Sequence, residues 1–155
     1  MPSVLFVCTA NICRSPMAEA LFRKIVFETF PSEKWRIESA GTWAIDGQPA
    51  SMNAQLVMEK QGMDISSHRS RRVTEELLLD FDLVLTMSEG HKEALMVEFP
   101  AVAKRIYRLS EMVGRYDDID DPIGRSETEY AATSDEIKTI LTQGIQRVGQ
   151  LVGLH

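Results

Sequence analysis

The chain is poor in cysteine and has no long apolar run. Its 155 residues include only two cysteines, Cys8 and Cys13, which four residues separate. That spacing excludes the C-x-x-C pattern of redox and zinc motifs. No apolar run approaches the roughly 20 residues of a membrane-spanning helix, and no G-x-x-x-x-G-K-[ST] sequence occurs, which excludes a Walker A nucleotide site.

Positive charge is also scarce. Lysine and arginine number 17 against 23 acidic residues, a net charge of −6, which argues against nonspecific nucleic-acid binding. The first residues lack the basic region and apolar stretch of a secretion signal, so we expect a cytoplasmic protein without a membrane partner. At this length, residues 1–155 are expected to form one domain. Any anion site must create its positive potential locally.

The stretch from Ser3 to Pro16 organises the rest of the chain. Residues 4–7 are apolar without alternation, which is typical of a strand buried on both faces of a parallel sheet. Ser15 and Pro16 then indicate a helix start, with serine as the N-cap and proline at the first helical position. Between strand and helix lies a loop with Cys8 at one end and Arg14 at the other.

This loop has the properties of an anion site. A strand, loop and helix in succession gather backbone N–H groups at the positive end of the helix. The residues that can surround a tetrahedral oxyanion in this way are Thr9, Ala10, Asn11, Ile12 and Cys13. Arg14 can close the cradle with a planar fork on two phosphate oxygens. The same field favours the thiolate form of Cys8, which is therefore the predicted nucleophile. Asn11 tolerates the left-handed conformation that a tight reversal requires.

Further strand patterns complete a sheet. Leu83–Leu85 is a second unbroken apolar run, hence a second interior strand, whereas Trp35–Ser39 and Arg105–Leu109 alternate as edge strands do. With helical connections, the predicted fold class is α/β: a small three-layer sandwich around a parallel, four-stranded sheet of the Rossmann or flavodoxin type. Ligands bind such sheets at the carboxyl ends of the strands, where Cys8 lies.

Three further helices are predicted. One runs from about Ser51 to Gln61, and a second is capped by Ser88 and reaches Pro100. The third, near the carboxyl end, has apolar residues at helical spacing. Two capping signals precede it, at Ser126 and at Thr133, and either could begin the helix.

The sequence V-C-T-A-N-I-C-R-S-P-M-A-E-A, from Val7 to Ala20, resembles the signature of the low-molecular-weight protein-tyrosine phosphatases, C-x-G-N-x-C-R-S-P. One departure is Ala10, which stands where the family commonly has glycine. If that position requires a positive φ, alanine adds roughly 1–2 kcal/mol of strain. The resemblance implies hydrolysis of phosphotyrosine in proteins or peptides, with inorganic phosphate as the product. No metal or cofactor is expected, because the loop amides and Arg14 supply the charge.

The resemblance also implies roles for residues outside the loop. Asp121, which precedes Pro122, resembles the family's general acid: it would protonate the leaving group and then activate the water that hydrolyses a cysteinyl-phosphate. Ser39, in the segment Ser-Ala-Gly-Thr, would hold Asn11, and His68 resembles a histidine that contacts the loop. The expected supporting residues are Ser15, Ser39 and His68. An ordinary turn serine and a local structural histidine are the alternatives for the last two.

The substrate ring is expected to contact an apolar wall. Ile12 occupies the variable loop position before Cys13, which is typically aliphatic in the tyrosine enzymes and resembles threonine in the arginine-specific branch. Ile123 follows Pro122, where an aromatic residue is usual in the family. Trp43 could supply the missing wall or could equally be a core or surface tryptophan. Three alternatives stay open: a protein-arginine phosphatase on the same scaffold, a thiol-linked arsenate reductase, which would need further cysteines, and a phosphopeptide-binding module without activity.

Overall fold

A computed structural model describes residues 1–154 of the chain. Its centre is a four-stranded parallel sheet, as the strand patterns predicted. The strands are β1 (Ser3–Cys8), β2 (Arg36–Gly41), β3 (Leu83–Thr86) and β4 (Ile106–Arg108). Their order is β2-β1-β3-β4, and every neighbouring pair is parallel. The two unbroken apolar runs, β1 and β3, are therefore the interior strands, and the two alternating segments are the edges.

The strands are connected by helices. These are α1 (Arg14–Thr29), α2 (Met52–Lys60), α3 (Glu75–Leu79), α4 (Glu89–Glu98) and α5 (Glu127–Leu151), with 3-10 turns at Pro100–Arg105 and Leu109–Val113. Ser88 caps α4 as predicted, and Ser126 rather than Thr133 caps α5. The short helix α3, which the apolar spacing did not predict, begins after Thr74. None of the helices within residues 1–154 has the length and apolar character needed to cross a membrane.

Alternate residues of β1 face two separate cores. Val4 and Phe6 pack in the cluster that includes the inner faces of α1, α2 and α5. Leu5 and Val7 pack in a second cluster with residues of α3 and α4. The sheet therefore lies between two helical layers, which confirms the three-layer α/β prediction. Because residues 4–7 have no exposed surface, the carboxyl end of β1, where Cys8 lies, is held firmly in place.

The start of α1 differs from the prediction. Cys13 occupies the N-cap position and Arg14 is the first helical residue, so Ser15 lies inside the first turn. The prediction that Ser15 is the N-cap is therefore wrong. Its hydroxyl contacts Cys8 and Asn11 instead of capping the helix. Pro16 still lies in the first turn, where its missing N–H costs no helical hydrogen bond.

Candidate active site

A cavity of about 180 Å³ opens between the carboxyl end of β1 and the start of α1. Its lining consists of Cys8, Thr9, Ala10, Ile12, Cys13, Arg14, Asp121 and Ile123. Cys8 is the last residue of β1 and Arg14 is the first residue of α1, and both are at least 95% buried. Grooves of about 390 and 490 Å³ lie elsewhere on the surface, but no cysteine, arginine or histidine lines them. The predicted nucleophile, anion-binding arginine and acid thus meet in one cavity.

Asn11 is the centre of the loop's hydrogen bonding. It has a positive φ of 60° and is fully buried. Its Nδ2 donates to the hydroxyls of Ser15 (2.8 Å) and Ser39 (3.0 Å), and its Oδ1 accepts from the backbone N–H of Arg71 (3.0 Å). Nε2 of His68 donates to the Asn11 carbonyl oxygen at 2.7 Å. The three predicted supporting residues therefore all contact Asn11, and they hold the reversal in the loop.

The segment after β2 lies directly against the same loop. The backbone N–H groups of Thr42 and Trp43 donate to the carbonyl oxygens of Cys8 and Thr9, each at 2.9 Å. A Cβ at Gly41 would collide with the Thr9 carbonyl oxygen and would lie 3.0 Å from the backbone nitrogen of Asn11. Only glycine fits at this crossing.

Ala10 does not carry the strain considered from its sequence position. Among the non-glycine residues that the structure describes, only Asn11 has a positive φ. The left-handed residue of the loop is therefore Asn11, and alanine is accommodated at position 10 without that cost.

The backbone amides of the loop lie directly before the start of α1. Within residues 1–154, the N–H groups of residues 10–13 donate to no protein acceptor. They lie immediately before the first turn of α1, where the helix dipole adds positive potential. A cluster of N–H groups at a helix N-terminus binds a tetrahedral anion without further charge.

Arg14 is fixed on both sides of its guanidinium. Nη1 donates to the Ile119 carbonyl oxygen at 2.8 Å, and Nη2 lies 3.4 Å from both Thr9 Oγ1 and Asp121 Oδ2. Asp121 is partly exposed at 38% of its side chain, and its Oδ1 accepts from the backbone N–H of Ile123 at 3.1 Å. The neighbouring Asp120 is exposed and does not line the cavity. Of the aspartates in this loop, Asp121 therefore has the geometry to reach a bound phosphoryl group.

The predicted wall residues separate into two places. Ile12 and Ile123 line the cavity, and Ile123 is half exposed at its mouth. Trp43 does not line it: its ring is 74% exposed, and the Arg72 guanidinium carbon lies 5.5 Å from the ring centre. Although its backbone N–H bonds to the loop, the side chain of Trp43 lines a neighbouring groove of about 190 Å³, with Arg72 and residues of α4.

A family model described as low molecular weight phosphotyrosine protein phosphatase matches residues 3–152. The chain belongs to this family. It is 38% identical over 134 residues to the human low molecular weight phosphotyrosine protein phosphatase, covering 83% of this chain and 84% of the human protein. It is 36% identical over 139 residues to a protein-arginine-phosphatase of Geobacillus stearothermophilus, covering 89% and 90% of the two chains. The crystal structure of the low molecular weight protein tyrosine phosphatase from T. tengcongensis matches with a TM-score of 0.88 at 39% identity, over 95% of this chain and 99% of that one.

Membership of the low-molecular-weight phosphatase family confirms the assignment made from the residues around Cys8. The chain is an enzyme, a hydrolase of the phosphatase class, whose substrates are phosphorylated proteins and whose product is phosphate. Its relatives include phosphatases named for tyrosine and for arginine, so family membership alone is compatible with both substrates. Within residues 1–154, no group of three or more His, Cys, Asp or Glu side chains is arranged to hold a metal ion.

Two parts of this phosphatase site were missed by the sequence motifs. The first lies beneath the loop, where three side chains form a ring of hydrogen bonds. Cys13 Sγ donates to Ser51 Oγ (3.5 Å), Ser51 Oγ donates to the Tyr130 hydroxyl (3.1 Å), and that hydroxyl lies 3.2 Å from Cys13 Sγ. Burial raises the pKa of the Cys13 thiol, and burial together with the Cys13 contact raises the pKa of Tyr130 to about 12. Both cysteines are free, and Cys13 is held as a neutral thiol.

The second missed part is His91, in the first turn of α4. Its Nε2 lies 2.8 Å from Thr9 Oγ1, and its Nδ1 lies 2.9 Å from Ser88 Oγ. Burial, and then the positive charge of Arg14, lower the pKa of His91 to about 4. The capping pattern found Ser88, but no local signal joins a histidine in α4 to a loop more than 80 residues earlier.

Proposed function

We propose that this chain is a single catalytic domain, residues 1–155, that hydrolyses phosphotyrosine in proteins or peptides. The observation that carries the proposal is the meeting of Cys8, Arg14 and Asp121 in one cavity whose loop amides lack protein acceptors. These are a nucleophile, an anion clamp and a proton donor, which together are what phosphate-ester cleavage needs. A module that only binds phosphopeptides does not require a buried thiol and a carboxylate on either side of the phosphate.

In the first step, the Cys8 thiolate attacks phosphorus in line with the ester oxygen. The S–P bond forms as the P–O bond to the leaving group breaks, and Asp121 gives its proton to the departing phenolate oxygen. The three equatorial oxygens carry the charge of the transition state. Arg14 and the N–H groups of residues 10–13 lie where they can stabilise that charge.

In the second step, water attacks the cysteinyl-phosphate. Asp121, now a carboxylate, takes a proton from the water as the new P–O bond forms and the S–P bond breaks. The products are inorganic phosphate and the Cys8 thiolate. Ser15 is placed to stabilise that leaving thiolate, because its hydroxyl lies 3.0 Å from the sulfur.

The substrate preference rests on the two aliphatic residues of the cavity. Ile12 and Ile123 offer apolar surface to a substrate ring, and burial of such surface is favourable at roughly 25 cal/mol per Å². A phosphorylated guanidinium would find no hydrogen-bond acceptor on either side chain and would lose solvation against them. The pair therefore favours phosphotyrosine over phosphoarginine.

Phosphoarginine is the second candidate substrate. It is supported by the 36% identity to the Geobacillus stearothermophilus protein-arginine-phosphatase. In addition, Ile123 is aliphatic and half exposed, so the cavity mouth has no aromatic side chain against which a tyrosine ring could stack.

We also infer a cytoplasmic location and protein partners rather than nucleic acid or membrane. A reducing compartment keeps both free cysteines in the form that the reaction requires. The net charge of −6 disfavours binding to a polyanion.

The nucleophile is tested by Cys8→Ser. This variant should lose turnover while it still binds inorganic phosphate, because the loop amides and Arg14 are unchanged. Cys13→Ser is the matched control, which should keep most of the turnover. Turnover by Cys8→Ser comparable to that of the unmodified protein would contradict the mechanism.

Substrate preference is tested by comparing kcat/KM for phosphotyrosine, phosphoarginine and phosphoserine peptides of one sequence. Ile12→Thr should shift the ratio toward phosphoarginine by about fivefold, since an apolar contact of about 40 Å² is worth about 1 kcal/mol. Ile45→Thr is the control, because Ile45 is exposed and lies outside the cavity. A preference of the unmodified protein for phosphoarginine would show that Ile12 does not select the substrate.

A further inference from the structure

His91 joins helix α4 to the phosphate loop through a buried contact. It is 8% exposed, and its Nε2 lies 2.8 Å from the Thr9 hydroxyl. Within residues 1–154, no side chain of the sheet forms a hydrogen bond with the hydroxyl of Thr9. The contact therefore sets the rotamer of a residue that lines the cavity.

Two tautomers of the neutral His91 ring fit these contacts, because the hydroxyls of Ser88 and Thr9 can each donate or accept. Ser88 Oγ accepts the backbone N–H of His91 at 3.2 Å, so the serine's own hydrogen is available for Nδ1 at 2.9 Å. When Ser88 donates this hydrogen to Nδ1, Nε2 of His91 carries the proton. The charged groups that act on the ring are Arg14, Asp118 and Asp121. The ring is neutral near pH 7 because its pKa is lowered to about 4 by burial and by Arg14.

The bonds of Thr9 follow from the tautomer with the proton on Nε2. The Thr9 oxygen accepts from Nε2 of His91 and, at 3.4 Å, from Nη2 of Arg14. A hydroxyl oxygen has two acceptor positions, so both are taken. The Thr9 hydrogen remains free, and the residue lines the cavity beside Cys8. A hydroxyl donor is thus available beside Cys8, at the cavity in which phosphate binds in the proposed reaction.

We propose that His91 is a positioning residue: with its proton on Nε2 it donates to Thr9, so that the Thr9 hydroxyl donates to the substrate phosphoryl group while its oxygen holds Arg14. This inference rests on the proposed phosphatase function. Loss of His91 or of Thr9 removes the hydroxyl donor to the phosphoryl group. It also loosens one side of the Arg14 guanidinium, whose other side is fixed by the Ile119 carbonyl oxygen. Thr9 contacts substrate, whereas His91 acts only through Thr9.

The experiment is a double-mutant cycle with two readouts. Thr9→Val, which keeps the shape of the side chain, and His91→Leu should each lower kcat/KM for a phosphotyrosine peptide about 10-fold, as expected for one lost hydrogen bond to a charged group. Each should also weaken inorganic phosphate binding, measured by calorimetry. Because the two residues act as one unit, the double variant should be no worse than the poorer single variant. Thr9→Ser and His91→Gln, which keep the donors, should recover most of the loss.

A matched control separates this role from helix stability. Leu95→Ala removes a buried side chain from the same helix, away from the loop, and should lower thermal stability while kcat is unchanged. If His91→Leu does not fold, His91→Gln and His91→Asn decide the question, since only glutamine reaches Thr9.

Losses that multiply in the double variant would overturn the proposal, as would full activity in Thr9→Val. A failure of the proposed phosphatase function gives a different result. Turnover would then not depend on Cys8, whereas calorimetry would still show whether the Thr9 and His91 variants bind phosphate more weakly.

Discussion

The hydroxyl oxygen of Ser15 lies 3.0 Å from the sulfur of Cys8 and accepts a hydrogen bond from Asn11 Nδ2 at 2.8 Å. Because Asn11 supplies a donor to that oxygen, the Ser15 hydrogen is free to point at the sulfur. A hydrogen bond from a hydroxyl stabilises negative charge on sulfur, so Ser15 is placed to stabilise the nucleophilic form of Cys8 during the reaction. The same hydroxyl also favours release of sulfur from the cysteinyl-phosphate in the proposed reaction.

Ser15→Ala should lower kcat by about 10-fold or more, since hydrogen bonds to charged groups contribute roughly 1.5–3 kcal/mol. It should also slow alkylation of Cys8 by iodoacetamide at neutral pH, measured in a Cys13→Ser background so that one thiol reacts. Ser134→Ala is the control: it removes a fully buried serine hydroxyl that accepts from Gln61, far from the loop, and should leave both rates unchanged. Equal alkylation rates in Ser15→Ala and the parent would contradict the role of Ser15.

Much of the fold could be predicted because its signals are local. An unbroken apolar run has to be buried on both faces, which identified β1 and β3, and alternation identified the edges β2 and β4. The helix start at Ser88 was visible because such a serine accepts from a backbone N–H three residues later, whereas for α5 the capping signals left Ser126 and Thr133 open. At Ser15 the same N-cap preference was misleading, since the Ser15 hydroxyl contacts Cys8 and Asn11 instead.

The site was predictable only where its residues are close in the sequence or match the family motif. The loop and Asp121 belong to such patterns. Tyr130 reaches Cys13 across 117 residues and His91 reaches Thr9 across 82, and no periodicity or cap relates them. Such contacts depend on how helices pack on the sheet, which local preferences do not determine. Trp43 shows the opposite failure, since its backbone N–H donates to the Thr9 carbonyl oxygen while its side chain does not line the cavity.

Gly41→Ala should disturb the phosphate loop although it changes no predicted functional residue. The added methyl group would collide with the Thr9 carbonyl oxygen, which is backbone and cannot move aside cheaply. Overpacking of this kind costs typically 1–3 kcal/mol, so the midpoint of urea unfolding should fall. Phosphate affinity should fall with it, because the loop has to shift. Gly90→Ala is the control, since a Cβ there meets nothing closer than 3.7 Å. Unchanged phosphate affinity in Gly41→Ala would contradict the close crossing.

Asp121→Asn tests the general acid. Asparagine keeps the shape of the side chain but cannot give up a proton at neutral pH. We expect a large loss of kcat, about 100-fold or more, for aryl phosphates with poor leaving groups and a much smaller loss for those with good ones. Asp120→Asn is the matched control, because Asp120 is exposed beside it and does not line the cavity. Equal losses for all leaving groups would indicate a structural role for Asp121, through its 3.4 Å pairing with Arg14.

Cys13→Ser tests a redox role against a packing role. Cys13 lines the same cavity as Cys8, so peroxide oxidation of Cys8 could be trapped as a reversible disulfide rather than proceed to the irreversible acids. Cys13→Ser should then make peroxide inactivation harder to reverse with a thiol. Tyr130→Phe is a useful comparison: it breaks the hydrogen-bonded ring with Cys13 but keeps the thiol, and recovery should persist. If the recovery of activity is unchanged in Cys13→Ser, the role of Cys13 is packing alone.

Buried His91 also makes stability depend on pH. Its pKa is lowered from 6.5 to about 4 in the folded chain, by burial first and then by Arg14. Between these values the unfolded chain binds a proton at this position and the folded chain does not. The free energy of unfolding is therefore unaffected above about pH 6.5 and falls as the pH falls toward 4.

Urea unfolding at pH 7.5 and at pH 5 measures this contribution. For the unmodified chain, the proton uptake at His91 should remove about 2 kcal/mol of stability between these two pH values, on the scale of 1.36 kcal/mol per tenfold change in proton affinity. His91→Gln has no group that titrates in this range, so its loss over the same interval should be smaller by about that amount. All other groups are the same in both proteins and cancel in the comparison. Identical losses of stability in the two proteins would mean that His91 binds its proton as readily in the folded chain as in the unfolded one. The neutral ring that donates to Thr9 would then be absent below pH 6.5.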